Sequence, residues 1–356
     1  MDGSPNTSQL SIATVEWESN ITDNVTKNVQ TNTTTAQTTA ATTTILIEIT
    51  LMLLIFIFGT LGNSIVVFIV CKKRRMQSFT NWLIFNLSVA DLVGSIICLP
   101  MEIPILLNGN KWLYEPFLCP IIYPIQTMAI YGSVLTLVIL SFSRYWAVLH
   151  PFRSQPSVAL AKIQIFVIWI LSLICVVPYA TSLTVQDGYC KETWTEKQNN
   201  IYTITVFILQ FVLPLSIIAV TYIMIALELK SSERKSSLPF GEVKVRENRK
   251  VLRMLLVVTV TFLVCLLPYH VVYLILLFAP KNSLPHYYHI FTSSSYLLLY
   301  ANGALNPLIY NMFNSSFREA FAELFRSVKS YIRKSSIRGA YHSTRTKQIE
   351  NQAMLM

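Results

Sequence analysis

Long stretches without charged residues alternate with short polar segments along most of the chain. Residues 116–143, for example, contain no charged side chain. A helix of that length, rising about 1.5 Å per residue, is longer than the ~30 Å hydrocarbon core of a bilayer. The pattern predicts an all-α membrane protein built as a seven-transmembrane helix bundle, with its two ends on opposite sides. The seven stretches have the approximate bounds 45–71, 81–107, 116–148, 162–184, 200–229, 250–280 and 286–312.

The third stretch differs from its neighbours because isolated polar side chains interrupt it at Gln126, Thr127 and Ser133. In lipid such groups need partners within the protein. We therefore expect the third helix to lie at the centre of the bundle, where it connects the outer face to Arg144 at its inner end.

Basic residues are distributed unequally between the two sides of this topology. Lysine and arginine are enriched in the cytoplasmic loops of membrane proteins. This rule places the amino terminus outside the cell and the carboxyl terminus in the cytoplasm. Of the 28 basic residues, the outer side has five: Lys27, Lys111, Lys191, Lys197 and Lys281.

The composition agrees with a membrane protein, since 53% of the residues are hydrophobic and 13% are charged. The net charge of +10 comes from the basic inner face, which also favours contact with anionic membrane lipid. No nucleic acid is expected as a partner, because the basic residues flank membrane spans and do not cover a soluble surface.

The helix bundle is expected over residues 45–314, and the two ends of the chain differ from it in composition. Residues 1–44 are rich in Thr, Ser and Asn and have too few large apolar side chains to form a core. They predict a disordered extracellular tail. Glycosylation sequons occur there, although an Asn- and Thr-rich segment also produces such sequons by chance. The four candidate sites are Asn6, Asn20, Asn24 and Asn32.

The segment 315–332 predicts a short amphipathic eighth helix on the inner leaflet, because its apolar residues recur at helical spacing. Residues 333–356 form the expected cytoplasmic tail, whose Ser and Thr residues are candidate kinase sites. The apolar face of the helix comprises Phe317, Phe321, Leu324, Phe325 and Val328.

Two features within the bundle need a specific explanation. Asp91 lies in the second span, where an unpaired carboxylate costs ~3 kcal/mol or more, so it marks either a functional site or a structural polar network. Cys119 and Cys190 both fall on the oxidising outer side and could form one disulfide. The other four cysteines lie in or beside spans and read as small apolar residues.

Taken in order along the spans, these residues resemble a rhodopsin-like (class A) G-protein-coupled receptor over about 45–330. The resemblance implies a multi-pass plasma-membrane receptor that activates a heterotrimeric G protein, with arrestin and a receptor kinase as further partners. The motifs that carry it are Gly62-Asn63, NLSVADL around Asp91, Trp112 before Cys119, the pair Cys119 and Cys190, Arg144-Tyr145 followed by HPF, Trp169, Pro214 with Tyr222, Cys265-x-x-Pro268, and NPLIY at 306–310.

The resemblance also implies two internal sites, and no required cofactor. An allosteric Na⁺ that stabilises the resting state would bind among four oxygen-bearing residues, namely Asp91, Ser133, Asn302 and Asn306. The residues implied to act in activation and G-protein coupling are Arg144, Tyr145, Phe152, Tyr222, Phe262, Pro268, Pro307 and Tyr310.

The chain departs from the family pattern at three places. Ser143 stands where the family usually has an acid before the arginine. Asn248 stands where an acid often occurs near the inner end of the sixth span, with Glu247 one residue earlier. Arg144 therefore lacks its usual carboxylate partner. Our hypothesis is that the resting state is less favoured and basal signalling is raised. Leu266 stands where most members have a tryptophan beneath the ligand, so a tryptophan rotamer switch is not expected.

The ligand class follows from the outer ends of the spans. Gln126 occupies the position where amine receptors of the family have an aspartate, and no lysine for an opsin Schiff base occurs in 286–312. The second outer loop predicts a hairpin beside Cys190. Its C-x-E-x-W pattern, together with Gln126 and Pro268-Tyr269-His270, resembles receptors for neuropeptide Y, orexin and RFamide peptides.

We therefore expect an amidated neuropeptide with an arginine near its carboxyl terminus, since acidic residues at the outer mouth would attract it. Two alternative interpretations stay open: the aromatic residues could serve only to pack the bundle, and the acidic residues could form only a solvated rim. A constitutively active receptor without a peptide ligand also stays open; an amine receptor or a transporter is less favoured, and an enzyme is not predicted. The expected ligand-binding residues are Gln126, Glu102, His270, Tyr269, Tyr273, Tyr296, Glu192 and Trp194.

Overall fold

The computed structural model describes the backbone of residues 33–150, 153, 156–235, 239–278, 288–327 and 329–330. Within these ranges the side chains of 33–41, 232–250 and 289 are not described. Phe152, the cytoplasmic tail 333–356 and the four sequons at Asn6, Asn20, Asn24 and Asn32 lie outside the described residues.

The described residues form long helices and one hairpin. In chain order the elements are α1 (Thr33–Lys72), α2 (Phe79–Leu107), α3 (Cys119–Leu149), α4 (Val158–Ser182), β1 (Leu183–Gln186), β2 (Tyr189–Glu192), α5 (Glu196–Phe207 continuing through Ile208–Val212 and Leu213–Lys235), α6 (Pro239–Phe278), α7 (Tyr288–Phe313) and α8 (315–327). The first helix begins before residue 45, so it includes part of the segment expected to be a disordered tail.

The helices α1 to α6 contain segments long and apolar enough to cross a membrane. The seventh, α7, is more polar because it includes a Thr-Ser-Ser-Ser run and three asparagines. It nevertheless packs between α1 and α6 and completes the predicted seven-helix bundle. The membrane-facing sides of the helices expose large apolar residues, as lipid requires.

The third helix occupies the centre, as its polar residues predicted. It packs against α2, α4, α5 and α6. In its most apolar segment 61% of the residues are buried, compared with 22% in α4 and 17% in α5. The helix that links the outer face to Arg144 is therefore surrounded by protein.

Two wide π-helical turns interrupt the regular helices. One, Val93–Cys98, lies in α2 immediately before Leu99-Pro100, and the other, Ile208–Val212, lies in α5 just before Pro214. Proline has no backbone N–H to donate to the preceding turn, so a wide turn beside it accommodates the missing bond. Both turns lie in the outer halves of their helices.

The hairpin covers part of the outer end of the bundle. Its presence confirms the hairpin that the second outer loop predicted beside Cys190. Its strands pair in antiparallel register from Leu183 opposite Glu192 to Gln186 opposite Tyr189. The turn residues Asp187 and Gly188 have φ of 52° and 83°, the left-handed conformation that two-residue hairpins require. A disulfide between Cys119 and Cys190, with 5.8 Å between the Cα atoms, ties β2 to α3.

At the inner end, the amphipathic segment packs under the bundle. Phe317 and Phe321 of α8 are buried in the main apolar core, and the Phe317 ring lies 5.7 Å from that of Tyr310. Phe325 is exposed. Glu323 accepts hydrogen bonds from Lys73 Nζ at 2.6 Å and Arg75 Nη2 at 2.5 Å, which connects α8 to the segment after α1. These two hydrogen bonds lower the pKa of Glu323.

Candidate functional site

A large outer cavity opens between the helix ends and the hairpin, with a volume of about 1420 Å³ including its mouth. All the helices from α1 to α4, together with β2, α6 and α7, contribute to its wall. Three carboxylates line it, and the described residues of its wall include no lysine or arginine. The three are Glu48, Glu102 and Glu192.

Most of the predicted ligand-binding residues meet in or beside this cavity. Six of the eight line it directly, namely Gln126, Glu102, Tyr269, Tyr273, Tyr296 and Glu192. His270 instead lines a smaller neighbouring cavity. Trp194 lines neither of these cavities; its ring packs 4.5 Å from the ring of Tyr202, outside the cavity wall.

Aromatic contacts hold one side of the outer cavity together. The Tyr269 ring lies 4.8 Å from the Tyr273 ring and 5.6 Å from the Tyr296 ring. The hydroxyls of Tyr273 and Tyr296 are hydrogen-bonded to each other at 2.8 Å. This aromatic wall joins α6 to α7, so a ligand that contacts it touches both helices.

Gln126 lies at the floor of the outer cavity. It also lines the deeper cavity around Asp91, so the two spaces adjoin at this side chain. Its Nε2 is buried and has no hydrogen-bond partner among the described residues. An unpaired buried amide donor is costly, which makes this position suited to an acceptor group from a ligand.

Glu192 is the acid that the hairpin contributes to the wall. Burial raises the pKa of Glu192 from 4.5 to about 7. The tyrosines around it include Tyr179, Tyr202 and Tyr269. A cation that enters the cavity would stabilise the ionised carboxylate and so favour deprotonation of Glu192.

Asp91 lies at the bottom of the deeper cavity, in contact with α7. Its Oδ2 accepts a hydrogen bond from Asn306 Nδ2 at 2.8 Å. Gly303 packs so closely that a Cβ there would lie 3.0 Å from the Cβ of Asp91. Asn63 donates to the backbone oxygen of Gly303 at 3.0 Å, which fixes α1 against the same turn of α7.

The residues expected to hold a sodium ion lie around this cavity. Asp91, Ser133 and Asn302 line it, and Asn306 is bonded to the carboxylate. The Oδ1 atoms of Asn302 and Asn306 are buried, and neither has a hydrogen-bond partner within the described part of the chain. A carboxylate, a hydroxyl and spare amide oxygens are ligands that a small hard cation prefers, so the residues fit such an ion.

At the inner end of α3, Arg144 donates a hydrogen bond to the hydroxyl of Thr80 on α2. Its Nε is buried with no partner among the described residues. No carboxylate is paired with Arg144 among the described residues. Tyr145, beside it on α3, is half-buried.

The other residues expected to act in activation lie along α5, α6 and α7. The Tyr222 hydroxyl is 3.5 Å from the Thr259 hydroxyl, and the buried Tyr310 hydroxyl has no partner in the described ranges. Phe262 lines both the Asp91 cavity and a small cavity that it shares with Val134 and Pro214. Pro268 and Pro307 lie inside α6 and α7, respectively.

Sequence reasoning missed several residues of the site. Tyr123 lines the outer cavity, and its position one turn before Gln126 on α3 could have revealed it. Tyr179 and Tyr202, on α4 and α5, carry no motif that distinguishes them from packing residues. Thr80 as the partner of Arg144 is likewise visible only in the folded chain.

Comparisons with known proteins agree with this architecture. Residues 62–310 match the family described as 7 transmembrane receptor (rhodopsin family). The chain is 32% identical to galanin receptor 2b of Danio rerio, covering 78% of this chain and 74% of that protein. It is 31% identical to neuropeptide FF receptor 1 of Rattus norvegicus, with 77% and 69% covered. It is 30% identical to somatostatin receptor type 5 of Bos taurus, with 79% and 76% covered.

Proposed function

The chain belongs to the rhodopsin family of seven-transmembrane receptors, and we propose that its ligand is a cationic, amidated neuropeptide. The family consists of receptors and not enzymes. A receptor of this family transmits the binding of an extracellular ligand to a heterotrimeric G protein. The proposal concerns what fills the outer cavity and which residues transmit the signal.

The acidic lining of the outer cavity carries the proposal. Glu48, Glu102 and Glu192 line one space, and the described residues of its wall include no lysine or arginine. Walls of low dielectric focus such a field and concentrate cations. A single small cation would contact only part of a wall to which α1, α2, β2, α6 and α7 all contribute, whereas a peptide with an arginine would contact several of these elements at once.

The similar proteins support a peptide, because a galanin receptor, a neuropeptide FF receptor and a somatostatin receptor are all named for one. Gln126 supports an amidated terminus. Its unpaired Nε2 would donate to a carbonyl oxygen of the ligand, and a neutral amide there does not attract an amine as an aspartate would.

Transmission to the cytoplasm would use the central helix. A ligand that contacts Gln126 and the aromatic wall of Tyr269 and Tyr296 biases α3, α6 and α7 together. The inner ends of these helices carry Arg144 and Tyr310, whose polar atoms have spare hydrogen-bonding capacity among the described residues. Regrouping of these side chains would admit the G protein, since a coupled change needs two alternative sets of contacts.

A bound Na⁺ would stabilise the resting arrangement. Asp91, Ser133, Asn302 and Asn306 would hold it through oxygen atoms. The ion supplies positive charge that neutralises the buried carboxylate and joins α2, α3 and α7. We further propose that arrestin and a receptor kinase bind the receptor, that α8 contacts membrane lipid, and that the amino terminus is extracellular.

Receptor-expressing cells with a promiscuous G protein test the ligand. We expect amidated peptides with an arginine near the carboxyl terminus to activate, and their free-acid forms to be weaker. Substituting Gln126→Ala or Glu102→Gln should lower peptide potency by about tenfold or more, because a hydrogen bond to a charged group contributes ~1.5–3 kcal/mol.

Glu115→Gln is the matched control, since Glu115 lies before α3 and does not line the outer cavity. Potency of both cavity variants within about threefold of the unmodified receptor would reject direct contact. Activation by none of the amidated peptides would reject the peptide itself.

A constitutively active receptor without a peptide ligand is the second candidate. One observation favours it: Arg144 is held by the neutral hydroxyl of Thr80 and by no carboxylate among the described residues. High signalling in unstimulated cells, unchanged by every peptide of the panel, would select this candidate.

A further inference from the structure

A side cavity extends from the outer cavity between α5 and α6, with a volume of about 520 Å³ including its opening. The two spaces share Tyr179, Glu192, Tyr269 and Tyr273 as lining residues, so the side cavity adjoins the outer cavity at these residues. The side cavity is lined farther in by Tyr202 and His270, among others.

Two buried polar atoms of this lining have no hydrogen-bond partner among the described residues. They are the Nε2 of His270, a residue only 3% exposed, and the hydroxyl of Tyr202. Buried polar atoms are nearly always paired in folded proteins, because an unpaired one loses its hydration without compensation. Both residues line the same cavity, so a ligand group with a donor and an acceptor is the simplest partner for the two atoms.

The rest of the lining is suited to a flat ring. Phe207 presents its ring to His270 at 5.6 Å in an edge-to-face arrangement, and Tyr179 stacks on Tyr202 at 5.8 Å. Val206 and Leu274 add apolar surface. Aromatic rings pack favourably in such surroundings, and an edge or face contact adds to the gain from burial.

We propose that the side cavity receives a phenolic ring of the ligand, with the phenol hydroxyl bound between His270 and Tyr202. A phenol hydroxyl is both a donor and an acceptor, so it can donate to the Nε2 of a neutral imidazole and accept from the tyrosine hydroxyl. A phenyl ring would fill the same space and leave both atoms unpaired. His270 and Tyr202 thereby determine specificity for tyrosine over phenylalanine in the peptide, an inference that rests on the proposed function.

The probes for the test are N-acetyl-tyrosinamide and N-acetyl-phenylalaninamide, which differ by the one hydroxyl. Their affinities for the purified full-length receptor in detergent are measured by ligand-observed saturation-transfer NMR. We expect the tyrosine amide to bind about five- to tenfold more tightly, since a site built around a hydroxyl discriminates against the analogue that lacks it.

Two variants and a control test whether His270 and Tyr202 cause the preference for the tyrosine amide. His270→Phe keeps the ring and removes both nitrogens, and Tyr202→Phe removes one hydroxyl. Each should bring the two affinities to within about twofold of each other while the phenylalanine amide still binds. Thr205→Val removes a hydroxyl from the exposed side of the same helix α5 and should leave the preference intact.

Equal affinities at the unmodified receptor, binding of neither probe, or a preference that survives both variants would overturn the proposal. Thermal melting of each variant in detergent identifies one that has not folded, and the other variant then decides. Binding of these fragments does not require signalling. A receptor that prefers the tyrosine amide but responds to no amidated peptide would therefore refute the proposed function and leave the phenol site standing.

Discussion

At the inner end of α3, a single residue alters how Arg144 is compensated. Ser143 precedes it where the family usually has an acid, and the guanidinium instead donates to the hydroxyl of Thr80. A neutral oxygen compensates a half-buried cation less well than a carboxylate does. We therefore expect the resting state of the receptor to lack one favourable contact, and a partner protein that offers hydrogen-bond acceptors to Arg144 to bind more tightly as a result.

Ser143→Asp should lower basal signalling by about fivefold, because a partly exposed ion pair contributes roughly 1 kcal/mol to the resting state. Ser143→Asn is the matched control, with the size of aspartate and no charge. Guanine-nucleotide exchange in membranes without added ligand measures the effect, normalised to receptor at the surface. A basal rate that stays the same or rises in Ser143→Asp would contradict the hypothesis.

A second residue-scale expectation concerns Glu192, whose pKa burial raises to about 7. The group is largely protonated at pH 6 and largely ionised at pH 8, and only the ionised form attracts a cation. The affinity for an arginine-containing amidated peptide should therefore rise with pH, by up to about tenfold across this window.

Glu192→Gln should flatten this dependence, whereas Glu196→Gln, at the exposed start of α5, should not. Radioligand competition at fixed ionic strength from pH 6 to pH 8 gives the slopes. The assignment fails if affinity falls as the pH rises, or if both variants retain the full slope.

At the scale of elements, the hairpin is the part of the outer face whose position depends on a covalent bond. Only eight residues form its strands, too few for independent stability. The disulfide between Cys119 and Cys190 holds it against α3, and the backbone N–H of Trp112 donates to the Gly188 oxygen at 2.7 Å. Glu192 reaches the cavity wall because of these attachments.

Replacing both Cys119 and Cys190 by serine should destabilise the receptor by about 4 kcal/mol, since the disulfide closes a segment with a sequence separation of 71. Thermal melting in detergent should fall by several degrees. Cys71→Ser, at an exposed free cysteine, is the control and should change melting little. Equal melting of the double variant and this control would show that other contacts hold the hairpin.

On the scale of the whole molecule, α3 passes every site in turn. Its Gln126 lines both the outer cavity and the Asp91 cavity, Ser133 lines the deeper cavity, and Arg144 lies at the inner end. Leu266 also lines the deeper cavity, and its side chain is smaller than the tryptophan that most members of the family have there. A ligand at the outer face and the proposed ion at Asp91 would thus act on the same helix.

Sodium should oppose peptide binding through this arrangement. Replacing Na⁺ by choline at constant ionic strength should raise peptide affinity by about five- to tenfold, a coupling of ~1–1.4 kcal/mol. Asp91→Asn should remove the difference between the two salts, because the carboxylate is the charged ligand. A sodium effect of unchanged size in that variant would place the ion elsewhere.

Much of this architecture could be predicted from local pattern. Apolar length predicted the helices, alternation predicted the hairpin, and the spacing of Phe317 and Phe321 predicted the buried face of α8. The beginning of α1 was not predicted, because a Thr-rich segment has low helix propensity and no apolar period. Trp194 matched a motif but packs on Tyr202, since a motif does not specify the direction of a loop side chain.

The sequence by itself determined the number of spans and the family, because these depend on composition and on motifs within single helices, whereas the orientation of the spans stays a prediction from the distribution of lysine and arginine. Only the tertiary structure decided which side chains from different helices meet. The partnership of Arg144 with Thr80 and the cavity shared by Tyr202 and His270 are of this kind. Helical periodicity defines the face of each helix, but the rotation and depth at which two faces meet depend on packing of the whole bundle.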